Sequence, residues 1–148
     1  MTNKNIEALN TVTKGLIDSH EGYKKAYEMT DENYGLRSEF IRRANEREQL
    51  VQQFQSQVRS FGGEPETSGG LLGSAHRSIM QFSSMFRDDE KAALGAIDDG
   101  EEYLADKIEN CLNEKDLNDT QTRSLLQQAH SSAKQGERFA ALRERAAG

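Results

Sequence analysis

Apolar residues recur at the spacing of an α-helix in four long stretches of this chain, and this periodicity limits the fold more than any other feature. The stretches that we predict to be helical are residues 3–29, 32–61, 88–115 and 119–145. Thr2 is the expected N-cap of the first helix, and Gly62, Gly63 and Pro65 end the second. Only a few residues join the first helix to the second and the third to the fourth, so each pair is expected to form an antiparallel hairpin.

A longer segment, residues 62–87, joins the two hairpins. It is too long for a hairpin loop, and at about 1.5 Å per helical residue or up to ~3.5 Å per extended residue it can span the length of a bundle. We therefore predict an all-α, up-and-down four-helix bundle with one long crossover, as in ferritin-like folds, rather than a bundle with short loops throughout. An apolar stretch at residues 79–86 is expected to form a short helix in the crossover, and residues 1–148 are expected to form a single domain.

Three charged or titratable residues interrupt the apolar stripes of three helices. His20, Arg47 and Glu101 each lie at the centre of a stripe when residues are placed 100° apart around the helix. A charge in the core must be paired, solvated or bound to a metal, because its transfer from water is costly. Measured from the turn near Asp31, His20 and Arg47 differ in level by about 8 Å, so we predict a buried cluster with an Arg47–Glu101 ion pair and His20 beside it. Arg43 is the alternative partner in this cluster.

Five short stretches of the chain resemble a bacterial family of uncharacterised ferritin-like four-helix-bundle proteins. They are LIDSHEGY at residues 16–23, ANER at 44–47, FGGEPETSG at 61–69, AHR at 75–77 and GE at 100–101. The resemblance covers nearly the whole chain and implies a ferritin-like fold, a bacterial cytoplasmic origin and an association with stress, but no established reaction. Members of that family often carry a histidine late in the fourth helix, and Gly136, Glu137 and Arg138 stand in that region here.

The fold that the resemblance implies raises the question of a di-iron site. Such a site needs Glu-x-x-His on two of the helices and a further Glu on each of the other two. No histidine in the chain satisfies this spacing. The residues three positions before His20, His76 and His130 are Ile17, Gly73 and Gln127. We therefore predict no metal cofactor; the alternative is an iron or manganese ion held by His20, Glu101 and His130, although a neighbouring Arg47 would repel it.

The composition argues against several other functions. The 148 residues carry a net charge of -6, and their basic residues are interleaved with acidic ones, so nucleic acid is not an expected partner. No apolar run approaches the roughly 20 residues of a membrane span, and no signal-like leader precedes the first helix, so we expect a cytoplasmic protein that does not enter a membrane. Ser19 and His20 point about 100° apart on a helix and cannot form a nucleophile–base pair, and Cys111 lacks a neighbouring base.

Two classes of function are left open by these patterns. In the first, the protein is a non-catalytic helical bundle that acts through contacts with another protein or with a second copy of itself, and the buried polar cluster selects which helices pair. In the second, it is a divergent ferritin-like metal-binding or redox protein with an unusual ligand set. Because the chain contains no complete catalytic motif, the non-catalytic function is the main prediction.

Overall fold

The computed structural model describes residues 3–30, 33–70 and 89–147, and 83% of these residues are helical. The four helices are α1 (Lys4–Met29), α2 (Tyr34–Ser60), α3 (Glu90–Leu112) and α4 (Thr120–Ala147). No strand occurs in the described ranges, so the prediction of an all-α four-helix bundle is confirmed. The short helix predicted at residues 79–86 lies outside the described residues. Among the helices that are described, none has the length and apolar character needed to cross a membrane.

Side-chain caps set where the helices begin. Asn3, rather than Thr2, caps α1, because its Oδ1 accepts a hydrogen bond from a backbone N–H of the first turn. Asn33 caps α2 in the same way, so that helix begins two residues later than predicted. At the start of α4, Asp119 accepts hydrogen bonds from the backbone N–H and the hydroxyl of Thr122, and these bonds lower the pKa of the Asp119 carboxyl.

The helix ends are set by one glycine and by one buried leucine. Beyond α2, Gly62 has a φ of 77°, a left-handed conformation that glycine adopts without steric cost. The third helix ends at Leu112 rather than at the predicted Lys115. The chain turns there and inserts the side chain of Leu117 into the core, where it is 2% exposed.

The apolar core consists of two clusters, and their membership gives the direction of each helix. One cluster takes residues from the beginning of α1 and α4 and from the end of α2 and α3, including Leu9, Val58, Ile108 and Leu126. The other takes residues from the opposite ends, including Tyr23, Phe40, Leu94 and Ala140. The second and third helices are therefore parallel, and α1 and α4 run in the opposite direction. The chain between α2 and α3 must consequently pass from one end of the bundle to the other, as the length of this segment predicts.

The described part of the crossover, residues 61–70, follows α1 toward that other end. The Asn10 side chain donates a hydrogen bond to the Glu64 carbonyl oxygen and accepts one from the Glu66 backbone N–H, both at 3.0 Å. Eight residues further along α1, Asp18 Oδ1 accepts a hydrogen bond from the Gly70 backbone N–H at 2.8 Å. These bonds satisfy backbone groups of an extended segment that has no secondary structure of its own.

Candidate functional site

Arg47 of α2 and Glu101 of α3 meet in the middle of the bundle, between the two apolar clusters. Arg47 is fully buried, and Glu101 is 4% exposed. Their contact is bidentate: Arg47 Nη1 donates to Glu101 Oε1 at 2.7 Å, and Nη2 donates to Oε2 at 2.5 Å. Two parallel charge-assisted hydrogen bonds of this kind are among the strongest contacts that protein side chains form.

The remaining Arg47 donors are bound by two serines on the other two helices. Ser132 of α4 accepts a hydrogen bond from Nε at its Oγ, at 3.0 Å, and one from Nη2 at its carbonyl oxygen, at 3.1 Å. Ser19 of α1 accepts the second hydrogen bond from Nη1. A guanidinium has five N–H donors, so every donor of Arg47 has a protein partner. The site is thus complete without any further ligand, and it joins all four helices.

Tyr23 of α1 completes the environment of the carboxylate. Its hydroxyl donates to Glu101 Oε2 at 2.8 Å, and the Arg47 Cζ atom lies 5.5 Å from its ring centroid. Burial, followed by the negative charge of Glu101, raises the pKa of the Tyr23 hydroxyl well above its ordinary value. Burial is the largest influence on the pKa of Arg47 and would lower it, but the charge of Glu101, its hydrogen bonds and the nearby Tyr23 and Glu46 together outweigh burial and raise that pKa. Tyr23 therefore stays a neutral donor and Arg47 a cation.

Gly136 of α4 provides the space that the Glu101 carboxylate occupies. A methyl group built on Gly136 would overlap the carboxylate and would lie 2.8 Å from the Tyr23 hydroxyl oxygen. Residues 136–138 stand in the region where the resembled family often carries a histidine. A histidine at position 136 itself would not fit beside Glu101 as it is placed here.

Neither His20 nor Arg43 forms a hydrogen bond or an ion pair with Arg47 or Glu101 among the described contacts. His20 is half-buried, and its Nδ1 lies 2.8 Å from the carbonyl oxygen of Ala44, so it links α1 to the α2 backbone. The α1 side chains that reach the ion pair are those of Ser19 and Tyr23, which lie one helical turn apart. Each is rotated around the helix axis by about 100° or less from His20. Arg43 is buried but pairs with Glu39 on its own helix. The helical spacing therefore predicted the charged pair but did not indicate its hydroxyl partners.

The alternative metal ligands, His20, Glu101 and His130, do not lie together as one group in the structure. The part of the chain that the structure describes contains no group of three or more His, Cys, Asp and Glu side chains that could hold a metal ion. His130 faces α3, with its Nε2 at 3.9 Å from Glu109 Oε2, and it is not grouped with His20 and Glu101. Cys111 is half-buried, and this burial raises the pKa of its thiol, which disfavours the reactive thiolate.

An open groove lies between α2 and α4. It consists of two adjoining cavities of about 490 and 350 Å³ that share Gln49, Gln53 and Gln128. The other side chains that line it are mostly amides and hydroxyls: Gln52, Gln57, Gln121, Gln135, Ser56, Ser131 and Ser132, with Glu46, Leu50 and Leu125. We call it the glutamine groove. Ser132 donates a hydrogen bond to Glu46 at one end of the groove and also accepts from Arg47, so the groove adjoins the buried ion pair.

The chain was also compared with known proteins. A family model described as a domain of unknown function, DUF2383, matches residues 4–114, so the chain belongs to this family. The match spans α1, α2 and α3 and ends before α4, the helix that carries Ser132 and Gly136. No curated protein and no solved structure matches the chain.

Proposed function

We propose that this member of the DUF2383 family is a non-catalytic helical bundle that acts by binding another protein, and that the glutamine groove is its contact surface. The observation that carries the proposal is the complete pairing of Arg47 inside the protein. A buried charged site that catalyses a reaction needs a donor, a base or a coordination position that a substrate can reach. Arg47 and Glu101 offer none of these, because they are buried and each is bound by neighbouring helices.

A structural role for the ion pair is supported by the helices that it joins. A buried ion pair contributes little net stability, but an arrangement that leaves one charge unpaired is strongly disfavoured. Only a packing that brings α1, α2, α3 and α4 together at this level satisfies Arg47. The pair therefore favours one arrangement of the helices and keeps the surface between α2 and α4 in a defined shape.

The chemistry of the glutamine groove supports its assignment as the contact surface. Amide side chains both donate and accept hydrogen bonds, so a row of them can pair with the backbone or the polar side chains of another chain. The side chains that line the groove are mostly amides and hydroxyls, whereas a small-molecule pocket is usually lined mainly by apolar and aromatic side chains. Its occupant is a second copy of this chain or a different protein.

Photo-crosslinking in cells tests this proposal. A photoreactive phenylalanine analogue is placed at Gln53 in the groove and, as the matched control, at Glu102, which is exposed on α3. We expect an adduct from position 53 and none from position 102, and its mass distinguishes a homodimer from another partner. A second groove position, Gln128, is labelled in the same way. The proposal would be contradicted if positions 53 and 102 gave equal adducts, or if neither position 53 nor position 128 gave an adduct.

The metal-binding or redox function is the competing proposal, and no described contact favours it over the first. The ferritin-like assignment, a bacterial cytoplasmic origin and a role under stress belong to the proposal and rest on the sequence resemblance alone. Metal analysis of untagged protein incubated with Fe²⁺ or Mn²⁺ separates the two functions. We expect less than one ion per chain, whereas one or more ions lost on replacement of His20, Glu101 or His130 would favour the metal-binding function.

A further inference from the structure

Arg43 is a buried cation whose hydrogen-bonding capacity is mostly unused. The residue is 5% exposed, and its Nε and Nη1 atoms are buried without a hydrogen-bond partner. Its one ion pair among the described residues joins Nη2 to Glu39 Oε1 at 3.1 Å. The same oxygen also binds Arg42, so a single carboxylate oxygen serves two cations. An arginine cannot lose its proton at physiological pH, so this positive charge is persistent and incompletely paired.

An aromatic ring and another arginine lie close to Arg43. The Arg43 Cζ atom lies 5.0 Å from the centroid of Phe139 on α4, and the Cζ atom of Arg143 lies 6.0 Å from the same centroid. No carboxylate of the described residues forms an ion pair with Arg143. Among the described residues, Glu39 is thus the only carboxylate that forms an ion pair with Arg42, Arg43 or Arg143, in a chain whose net charge is -6.

These residues lie where the glutamine groove ends. Arg43 precedes Glu46 by three residues on α2, and Phe139 follows Gln135 by four residues on α4, so both are one helical turn beyond side chains that line the groove. We propose that Arg43, flanked by Phe139 and Arg143, is a carboxylate-binding site at this end of the groove. The ligand is a free carboxylate or a glutamate or aspartate side chain of the protein that occupies the groove.

Glu39 occupies the site in the absence of a ligand. The Nε and Nη1 atoms are not accessible as the side chains stand, but the Glu39 side chain is 26% exposed and also binds the exposed Arg42. An incoming carboxylate displaces Glu39 from Arg43, and Glu39 keeps its contact with Arg42. The ligand then forms the bidentate pairing that Glu39, bound through one oxygen, does not. Arginine and aromatic side chains are also enriched among the residues that dominate the binding energy at protein interfaces.

The test follows the Nε–Hε NMR signal of Arg43 while glutarate is added to the wild-type protein at constant ionic strength. We expect the Arg43 signal to shift and saturate, and that of Arg42 to move little. The Glu39→Gln variant should bind glutarate about tenfold more tightly, because the competing carboxylate is gone, and Arg43→Met should bind about tenfold more weakly. Arg42→Met is the matched control, since it removes an equal charge from an exposed neighbour. An unchanged Arg43 signal in the wild-type protein overturns the proposal whether or not any variant folds.

Two further probes identify the source and the chemistry of the ligand. A hexaglutamate peptide that binds more tightly than glutarate, with a dependence on Arg43, indicates an acidic side chain of a partner protein; tighter binding of glutarate indicates a free carboxylate. Inorganic phosphate that binds as tightly as glutarate would contradict a carboxylate site. The peptide result rests on the proposed function, whereas glutarate binding does not. Saturable glutarate binding without any adduct from position 53 would leave this site standing while the proposed function fails.

Discussion

Arg47 and Arg43 lie one helical turn apart on the same face of α2, and both are buried, yet their surroundings differ completely. Arg47 faces the middle of the bundle, where side chains from the other three helices and the backbone carbonyl oxygen of Ser132 bind all of its donors. Arg43 faces the seam between α2 and α4, where one shared carboxylate oxygen is its only ion-pair partner among the described residues. The comparison shows that burial alone does not distinguish a fully paired cation from one with unused donors. The distinction lies in how many donors the protein itself satisfies.

The largest effect on the free energy of unfolding is expected at the buried Arg47–Glu101 pair. Glu101→Gln or Arg47→Met alone should lower the free energy of unfolding by about 3 kcal/mol or more, because each leaves a buried charge without its partner. The double variant should recover much of that loss, since it leaves no charge unpaired. Urea denaturation of the four proteins measures the effect, with Glu102→Gln on the exposed face of α3 as the control. Losses that simply add in the double variant would contradict the coupling.

The next largest effect on stability is expected at Gly136, which leaves space for the Glu101 carboxylate. Gly136→Ala should destabilise by roughly 2 kcal/mol, because the added methyl group forces Glu101 away from its position between Arg47 and Tyr23. Gly22→Ala is the matched control, since that helical glycine has nothing within 4 Å of an added methyl group. Alanine favours the helix there, so stability should rise by up to about 1 kcal/mol. Equal effects of the two substitutions on the urea midpoint would show that position 136 is not constrained by the carboxylate.

The Tyr23 hydroxyl has a smaller effect, and that effect depends on pH. Tyr23→Phe should cost about 1.5 kcal/mol at neutral pH, the usual range for a hydrogen bond to a charged group. The pKa of Tyr23 is raised in the folded protein, so its contribution is fully present below the ordinary pKa of 10.0 and is lost as the pH rises above that value. The difference in unfolding free energy between wild type and variant should therefore narrow above about pH 10. A difference that stays constant or widens there would contradict this prediction.

The smallest change in stability is expected at Arg43 itself. Arg43→Met should alter the free energy of unfolding by about 1 kcal/mol or less and can even raise it, because a poorly paired buried cation is replaced by an apolar side chain. Arg42→Met, on the exposed side of the same Glu39, should also be close to neutral. Thermal and urea unfolding measure both variants. A loss at Arg43 as large as the loss at Arg47 would remove the difference on which the carboxylate site depends.

Much of the fold was predictable from local patterns. The apolar spacing predicted four helices to within a few residues, and the length of residues 62–87 predicted a connection from one end of the bundle to the other. The differences lie at the ends, where Asn33 rather than a residue upstream caps α2 and where α3 ends at Leu112, before a turn that inserts Leu117 into the core. Caps and buried turns depend on single side chains, and the periodicity of a helix carries little information about them.

The sequence by itself determined that Arg47 and Glu101 would stand at core positions, because a position on a helix follows from the 100° rotation between residues. It also determined that each would require a partner, because an unpaired charge is too costly to bury. The tertiary structure decided which partners they have. Ser19, Tyr23 and Ser132 are distant from Arg47 in the sequence, and only the packing of all four helices brings their hydroxyls within hydrogen-bonding distance of the pair. The same packing left two donor atoms of Arg43 without a hydrogen-bond partner, because it places the Arg43 guanidinium beside the ring of Phe139, which offers no carboxylate or carbonyl oxygen.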